Sequence, residues 1–197
     1  MSVTIVTPTY KRAESTLLNC IKSIDAQTYT NYHHMIIIDD DTFEGHVTEE
    51  FRKKHTNNHR EFVLLGRRSN NFGNTPRQSG IDLAVTDFMV FIDDDNVVFP
   101  DYLEKMVNGI GSADFALAKI IHMGPLPQHY YPPPRVIDGS IIKKTFVDTL
   151  QLIVRTNVIK QTGWFQTGYC ADGDTIENLG NHYTHALIDH IVGVHLH

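Results

Sequence analysis

The chain is poor in cysteine. Cys20 and Cys170 are the only two thiols among 197 residues. Two isolated cysteines make neither a disulfide framework nor a thiolate zinc site. No apolar run comes near the roughly 18 residues that a membrane-spanning helix needs. The amino terminus has no basic region followed by an apolar stretch, so no targeting segment is read there. Excess positive charge is also missing. A net charge of −6 argues against nonspecific nucleic-acid binding through the whole surface and leaves only a local basic groove open. Lys53, Lys54, Arg60, Arg67 and Arg68 gather in one stretch and read as a solvated face. The 12 histidines are scattered and read mostly as surface residues. These absences leave a single domain spanning residues 1–197, with a cytoplasmic location as the expectation.

The strongest signal present is acidic. The apolar run Phe88, Met89, Val90, Phe91, Ile92 is followed by Asp93, Asp94 and Asp95. An apolar run without alternation reads as a strand buried on both faces of an α/β sheet. The carboxylates then lie at its carboxyl end, where open α/β sheets bind ligands. Three adjacent negative charges suit a hard divalent cation carrying a phosphate or diphosphate, although Asp is also common in plain turns. A second run, Met35 to Ile38, delivers Asp39, Asp40, Asp41 and Thr42 to the same edge.

Strands and helices alternate along the chain. Strands are expected at Val3 to Thr7, up to Asp39, at Phe62 to Leu65, Phe88 to Ile92 and Phe115 to Ile121. Helices are expected at Glu14 to Ala26, at Val47 to His55, after a cap at Asn74 or Thr75, and from Pro100 with Leu103, Met106, Val107 and Ile110 inward. This order implies a wound, mainly parallel sheet flanked by helices. Residues 124–135 hold five of the eight prolines with Tyr130 and Tyr131, a loop or the wall of a cleft. Beyond it, Thr149 to Val154 reads as a strand, Thr156 to Gln161 as a short helix ended by Gly163, Asp172 to Leu179 as a helix and Ile188 to Leu196 as a last strand.

Five segments in order resemble family 2 glycosyltransferases of the GT-A fold. They are Thr7-Pro8-Thr9-Tyr10-Lys11-Arg12, Gln27-Thr28-Tyr29, Ile38-Asp39-Asp40-Asp41-Thr42, Gly73-Asn74 with Arg77-Gln78-Ser79-Gly80-Ile81, and Phe91-Ile92-Asp93-Asp94-Asp95-Asn96. The last is similar to the family's metal-binding Asp-x-Asp segment. Asp41 stands where the family usually has Gly, and Gln78 where Asn is usual. The resemblance implies a nucleotide-sugar donor, with a UDP-sugar expected, and Mn²⁺ or Mg²⁺ as cofactor. It implies that Pro8, Tyr10 and Asp40 line the nucleobase pocket. Arg77 would contact the nucleotide or its diphosphate, Asp94 would lie near the ribose, and Asp93 would hold the ribose or support the metal shell. Asp95 would ligate the metal, joined by a late histidine, His197 or alternatively His195. Tyr169-Cys170-Ala171-Asp172-Gly173-Asp174 is similar to the segment carrying the family's base, which aligns with Asp172; Asp174 is the alternative. Trp164 and Phe165 suggest an apolar acceptor platform or core. Residues 1–122 would form a donor half and 123–197 an acceptor half. The acceptor stays open between a polysaccharide, a lipid-linked sugar, a protein and a modified nucleobase. Two other classes compete: a nucleotide-sugar binding module without transfer, and a phosphoacceptor domain, for which the chain is long.

Overall fold

Period-two apolar positions set the sheet. Val3, Ile5 and Val6 in the first strand are all fully buried, with Val3 and Ile5 on one face and Val6 on the other. The computed structural model describes residues 1–40, 47–124 and 134–196. Asp41, Thr42, the central Pro- and Tyr-rich residues 125–133 and His197 lie outside the described residues.

In chain order the elements are β1 (Val3–Thr9), α1 (Glu14–Asp25), β2 (Tyr32–Ile38), α2 (Glu49–His55), β3 (Arg60–Leu64), α3 (Asn74–Leu83), β4 (Phe88–Phe91), β5 (Val97–Val98), α4 (Tyr102–Ile110), β6 (Phe115–His122), β7 (Arg135–Ile137), β8 (Leu152–Arg155), α5 (Thr156–Thr162), α6 (Ala171–His182) and β9 (His185–His195). The strands form one sheet in the order β3-β2-β1-β4-β8-β6-β9-β5, with β7 added beside β6. Pairing is parallel among β3, β2, β1 and β4. Antiparallel β8 then joins β4 to β6, and β9 runs parallel to β6.

Helices cover both faces. Cys20 and Ile24 of α1 and Leu103, Met106, Val107 and Ile110 of α4 pack with Val3, Ile5, Phe88 and Val90. Ile81 of α3, Val158 and Ile159 of α5, and Ile176 and Leu179 of α6 pack on the other face with Val6, Met89 and Phe91. Each fully buried large side chain contributes about 1.5–3 kcal/mol over an exposed one.

The expected α/β architecture is met, and several local readings need correction. Asn74 does not cap α3. Gly73 does so at φ 79°, without a side-chain cap bond, and Asn74 is buried as the helix's first residue. Thr149–Gln151 is not extended but a short 3-10 turn, because Asp148 and Gln151 close a reciprocal capping box around it. The two short strands β5 and β7 carried no periodic signal. Arg60 does not belong to a solvated face. It is 2% exposed, pairs with Asp25, and donates from Nε to His34 Nδ1 at 2.9 Å. His34 is itself fully buried, and burial followed by Arg60 holds its pKa well below the ordinary histidine value.

Helix α6 approaches the preceding segment closely. A Cβ on Gly173 would meet the Lys144 carbonyl oxygen at 1.9 Å. The obstacle is backbone, which cannot rotate aside. Gly173→Ala therefore lifts the first turn of α6 off its seat, with an expected cost of about 3 kcal/mol. Urea denaturation checks this: a variant as stable as wild type shows that the seat is not tight.

Candidate functional site

The strand ends of β1, β2 and β4 open on one cleft of about 530 Å³. Its floor is acidic because β4 stops at Phe91 and the chain then turns through Asp93, Asp94 and Asp95. Asp94 and Asp95 are only 5% and 9% exposed. Thr9 Oγ1 donates to Asp94 Oδ2 at 2.7 Å, and Arg12 Nε donates to Asp94 Oδ1 at 2.9 Å. The same guanidinium reaches Asp95 Oδ2 through Nη2 at 2.8 Å. Burial, against the hydrogen bond from Thr9 and the charge of Arg12, pushes the Asp94 carboxyl up to about 6. Burial alone would lower the Arg12 pKa, but Asp94 and Asp95 raise it.

Arg77, from α3, is buried and braces the wall. Its Nη2 pairs with Asp93, and its Nη1 donates to the Phe72 carbonyl at 3.0 Å. Its guanidinium carbon lies 5.3 Å from the centre of the Trp164 ring. Trp164 is 3% exposed, packs on Phe91, and donates from Nε1 to Asn74. It is core beneath the cleft and not an acceptor platform. The exposed aromatics at the mouth are instead Phe72 and Tyr169, edge to face at 5.5 Å. Phe72 sits at φ 60°, a left-handed conformation that costs a bulky residue energy and is held here by Arg77.

Pro8 and Tyr10 line the cleft, and the Arg68 guanidinium covers the Tyr10 ring at 4.2 Å. Asp39 lines it too, accepting from the Ser69 backbone and hydroxyl at 2.7 Å each. Asp40 follows, half-buried, and is not among the lining residues. His195 lines the cleft from the end of β9.

Asp172 and Asp174 both fall in the first turn of α6, and neither lines the cleft. Cys170, not Asp172, occupies the cap position. Asp174 is neutralised by Lys144 Nζ at 2.7 Å. Asp172 keeps some exposure, yet its carboxyl is pushed up to about 7, first by burial and then by the charge of Asp148, against Arg77. A helix start favours the carboxylate form, so burial and Asp148 outweigh it here.

Three residues of this region were not legible as site residues: Arg12, His122 and Asp148. Arg12 stands in the β1 exit segment, but nothing in the sequence shows which charge it meets. Asp148 announces only a turn, through its spacing to Gln151. In the fold, Asp148 Oδ2 lies 2.9 Å from His195 Nδ1, and the His122 and His195 rings stack at 4.3 Å and 9°. Ligand atoms of the three lie within 4.8 Å of one another. Lone pairs of imidazole nitrogens lie in the ring plane, so two nearly parallel stacked rings do not converge on one ion. The cluster is better described as a clamp on His195. Burial alone would raise the Asp148 carboxyl, but His195 and the Leu150 amide hold it below the usual range. Burial, then His195, lowers His122 to about 4.

Asp93, Asp94, Asp95 and His195 line the same cleft, and the carboxylates are of the type a hard divalent cation takes, but among the described residues no three of these side chains are drawn to within ligand range of one another; in this structure Arg12 supplies the positive charge that Asp94 and Asp95 meet.

Asp172 gives a pH-dependent test. Its folded pKa of about 7 is above the ordinary 3.8, so the folded state binds a proton between those values that the unfolded state lacks. Stability associated with Asp172 is present at low pH and is lost as pH rises through the window. Asp172→Asn is therefore expected to unfold a few degrees above wild type at about pH 8, and together with it near pH 4. An equal difference at both pH values removes the buried-acid description.

Residues 4–171 match the profile described as glycosyl transferase family 2. The succinoglycan biosynthesis protein ExoW of Rhizobium meliloti is 30% identical over 109 residues, covering 51% of this chain and 31% of that protein. Glycosyltransferase AglE of Haloferax volcanii is 22% identical over 183 residues, covering 87% of this chain and 58% of that protein. The chain thus spans about a third of the first relative and under two thirds of the second. Among solved structures, S. aureus TarS is similar with a TM-score of 0.71 at 19% identity, covering 98% of this chain and 36% of that one. TarS 1-349 in complex with UDP-GlcNAc is similar with a TM-score of 0.66 at 15% identity, covering 99% of this chain and 58% of that one.

Proposed function

Because the chain belongs to glycosyl transferase family 2, we propose that it transfers a sugar from a nucleotide-sugar donor, a UDP-sugar first, to an acceptor hydroxyl with inversion and with the help of Mn²⁺ or Mg²⁺. The observation that carries this reading is the meeting of Pro8, Tyr10, Arg77 and Asp93 to Asp95 in one cleft, beside a carboxyl held near neutrality at Asp172. The complex of TarS with UDP-GlcNAc supports the choice of donor class.

In this reading Pro8 and Tyr10 receive the nucleobase, Asp94 the ribose and Arg77 the diphosphate; Asp40, the third nucleobase candidate, would have to turn into the cleft, which it does not line here. Asp95 and His195 would hold the metal, with Asp93 in support; His197, outside the described residues, is the other candidate. The metal, when bound, neutralises the leaving diphosphate. Arg12 leaves Asp95 to make room, which its partly exposed side chain permits. Asp172 takes the acceptor's proton, since a carboxyl with a pKa near the working pH is an effective base. Asp174 is the weaker candidate because Lys144 already neutralises it. Residues 1–122 form the donor half and 123–197 the acceptor half, and a cytoplasmic site of action belongs to the same reading. No helix among the described residues is long and apolar enough to cross a membrane. The acceptor is a polysaccharide, a lipid-linked sugar, a protein or a modified nucleobase.

Calorimetry with UDP and UDP-GlcNAc, with Mn²⁺ or with EDTA, tests the donor site. Wild type is expected to bind more tightly with Mn²⁺, and Asp95→Ala to lose that difference. Asp172→Asn should bind donor normally while transfer falls by about 10²–10⁴-fold. Donor binding indifferent to metal in wild type overturns the metal assignment. Unchanged transfer in Asp172→Asn with loss in Asp174→Asn moves the base by two residues. A protein that binds donor and never transfers is a binding module.

A further inference from the structure

Two aromatic rings stand open at the mouth of the cleft. Phe72 is 63% and Tyr169 76% exposed, both line the cleft, and they meet edge to face at 5.5 Å. Their placement is built, because the buried amide of Asn74 ties together the two segments that carry them. Asn74 accepts from Trp164 Nε1 at 3.2 Å and donates from Nδ2 to the Gly168 carbonyl at 3.2 Å. Gly168, directly before Tyr169, has φ 94°, in the left-handed region that favours glycine. Phe72 has φ 60°, costly for a bulky side chain, and its carbonyl is held by Arg77. A large apolar side chain kept in such a backbone and left in water gains little from the fold itself. Strain of this kind gathers at ligand clamps.

We propose that Phe72 and Tyr169 form an acceptor subsite that takes the C–H face of a sugar ring, so that the acceptor is a saccharide. The face of an aromatic ring is electron-rich. It attracts the weakly positive C–H bonds of a pyranose, whose hydroxyls project outward to polar partners, and Asn70 and Asp93 line the same cleft. A planar base is read by stacking between side chains on both of its faces, whereas these two rings stand at 90°. The perpendicular pair suits a puckered hexose, which offers C–H bonds on its face and on its exocyclic carbon. Tyr169 also leads into α6, on whose first turn Asp172 lies. The assignment of this sugar as the acceptor rests on the transferase reading given above. Its binding to the two rings does not.

Three variants separate the rings from the fold. Phe72→Asn removes one ring and keeps a residue that tolerates the left-handed backbone. Tyr169→Ala removes the other ring, and Tyr169→Phe keeps its face without the hydroxyl. Thermal melting shows which variants are folded.

The probes are cellotriose, maltotriose and chitotriose, with adenosine and a serine-rich peptide as the competing classes, each with and without UDP. Saturation-transfer difference NMR reads binding and identifies the ligand protons that touch the protein. Wild type is expected to bind at least one trisaccharide, with transfer strongest at the C–H protons of one ring face. Its affinity should fall about tenfold in Phe72→Asn and in Tyr169→Ala, the size of one lost stacking contact, and return in Tyr169→Phe. A trisaccharide bound equally well by wild type and by folded Phe72→Asn and Tyr169→Ala overturns the subsite. So does a wild type that binds none of the saccharides, or that prefers adenosine or the peptide to all of them. If wild type fails to bind UDP, the transferase reading fails, and the saccharide spectra still decide the subsite.

Discussion

Everything at the cleft depends on one electrostatic constraint: carboxylates gathered at a strand end and largely withdrawn from water must meet positive charge. Asp94 and Asp95 are nearly buried, and Arg12 bridges them. Asp93 is answered by Arg77. Removing the partner of a buried charge costs far more than an exposed ion pair contributes. The two arginines come from different elements, the exit of β1 and helix α3, so the acidic turn ties those elements to β4. The brace extends outward, because Arg77 also holds the Phe72 carbonyl and with it the strained backbone at the mouth. A cation and a diphosphate bound in this cleft would enter an existing charge balance and not create one.

Topology then brings the distal part of the chain to the same place. Strand β9 lies parallel to β6 along most of its length and pairs antiparallel with β5 near its end. Since β5 directly follows the acidic turn and Asn96, the pairing of Val97 with Val194 pins the last described residues beside the acids. Leu196 N–H donates to Asn96 Oδ1 at 3.4 Å. His195 is therefore fixed at the cleft by β6, whose His122 is its direct partner, and its neighbour Val194 by β5, a strand of two residues too short to leave a periodic signal in the sequence.

That contrast explains what could be read in advance. Strands β1 to β4 and helices α1, α3 and α4 follow from apolar periodicity, and the acidic strand ends follow from the run of aspartates. Residues whose part depends on who meets whom were not legible. Arg60 sits in a basic stretch and looks solvated, yet it is buried because β3 delivers it to His34 and Asp25. Trp164 suggests a platform, yet helices α3 and α6 close over it and Asn74 satisfies its N–H. Phe72 and Tyr169 lie 97 positions apart and meet only in the fold. Asp148 looks like a turn residue and is one, while its second oxygen serves a histidine nearly fifty residues on.

Asp148 and Asp172 show how the fold gives two carboxyls of one residue type opposite protonation behaviour. Both are largely withdrawn from solvent, and burial pushes both upward. Asp148 has a histidine on one oxygen and a backbone N–H on the other, and these hold it ionised. Asp172 has the charge of Arg77 and the Gly173 backbone N–H in its favour, but burial and the charge kept on Asp148 outweigh them. The two effects are linked: whatever anchors Asp148 as an anion helps Asp172 keep its proton up to near neutrality. Environments that push neighbouring acids apart are how one site separates a fixed charge from a group that exchanges protons. Here the fixed charge serves the His195 side of the cleft and the exchanging group sits at the start of α6, so a single buried aspartate conditions both sides of the site.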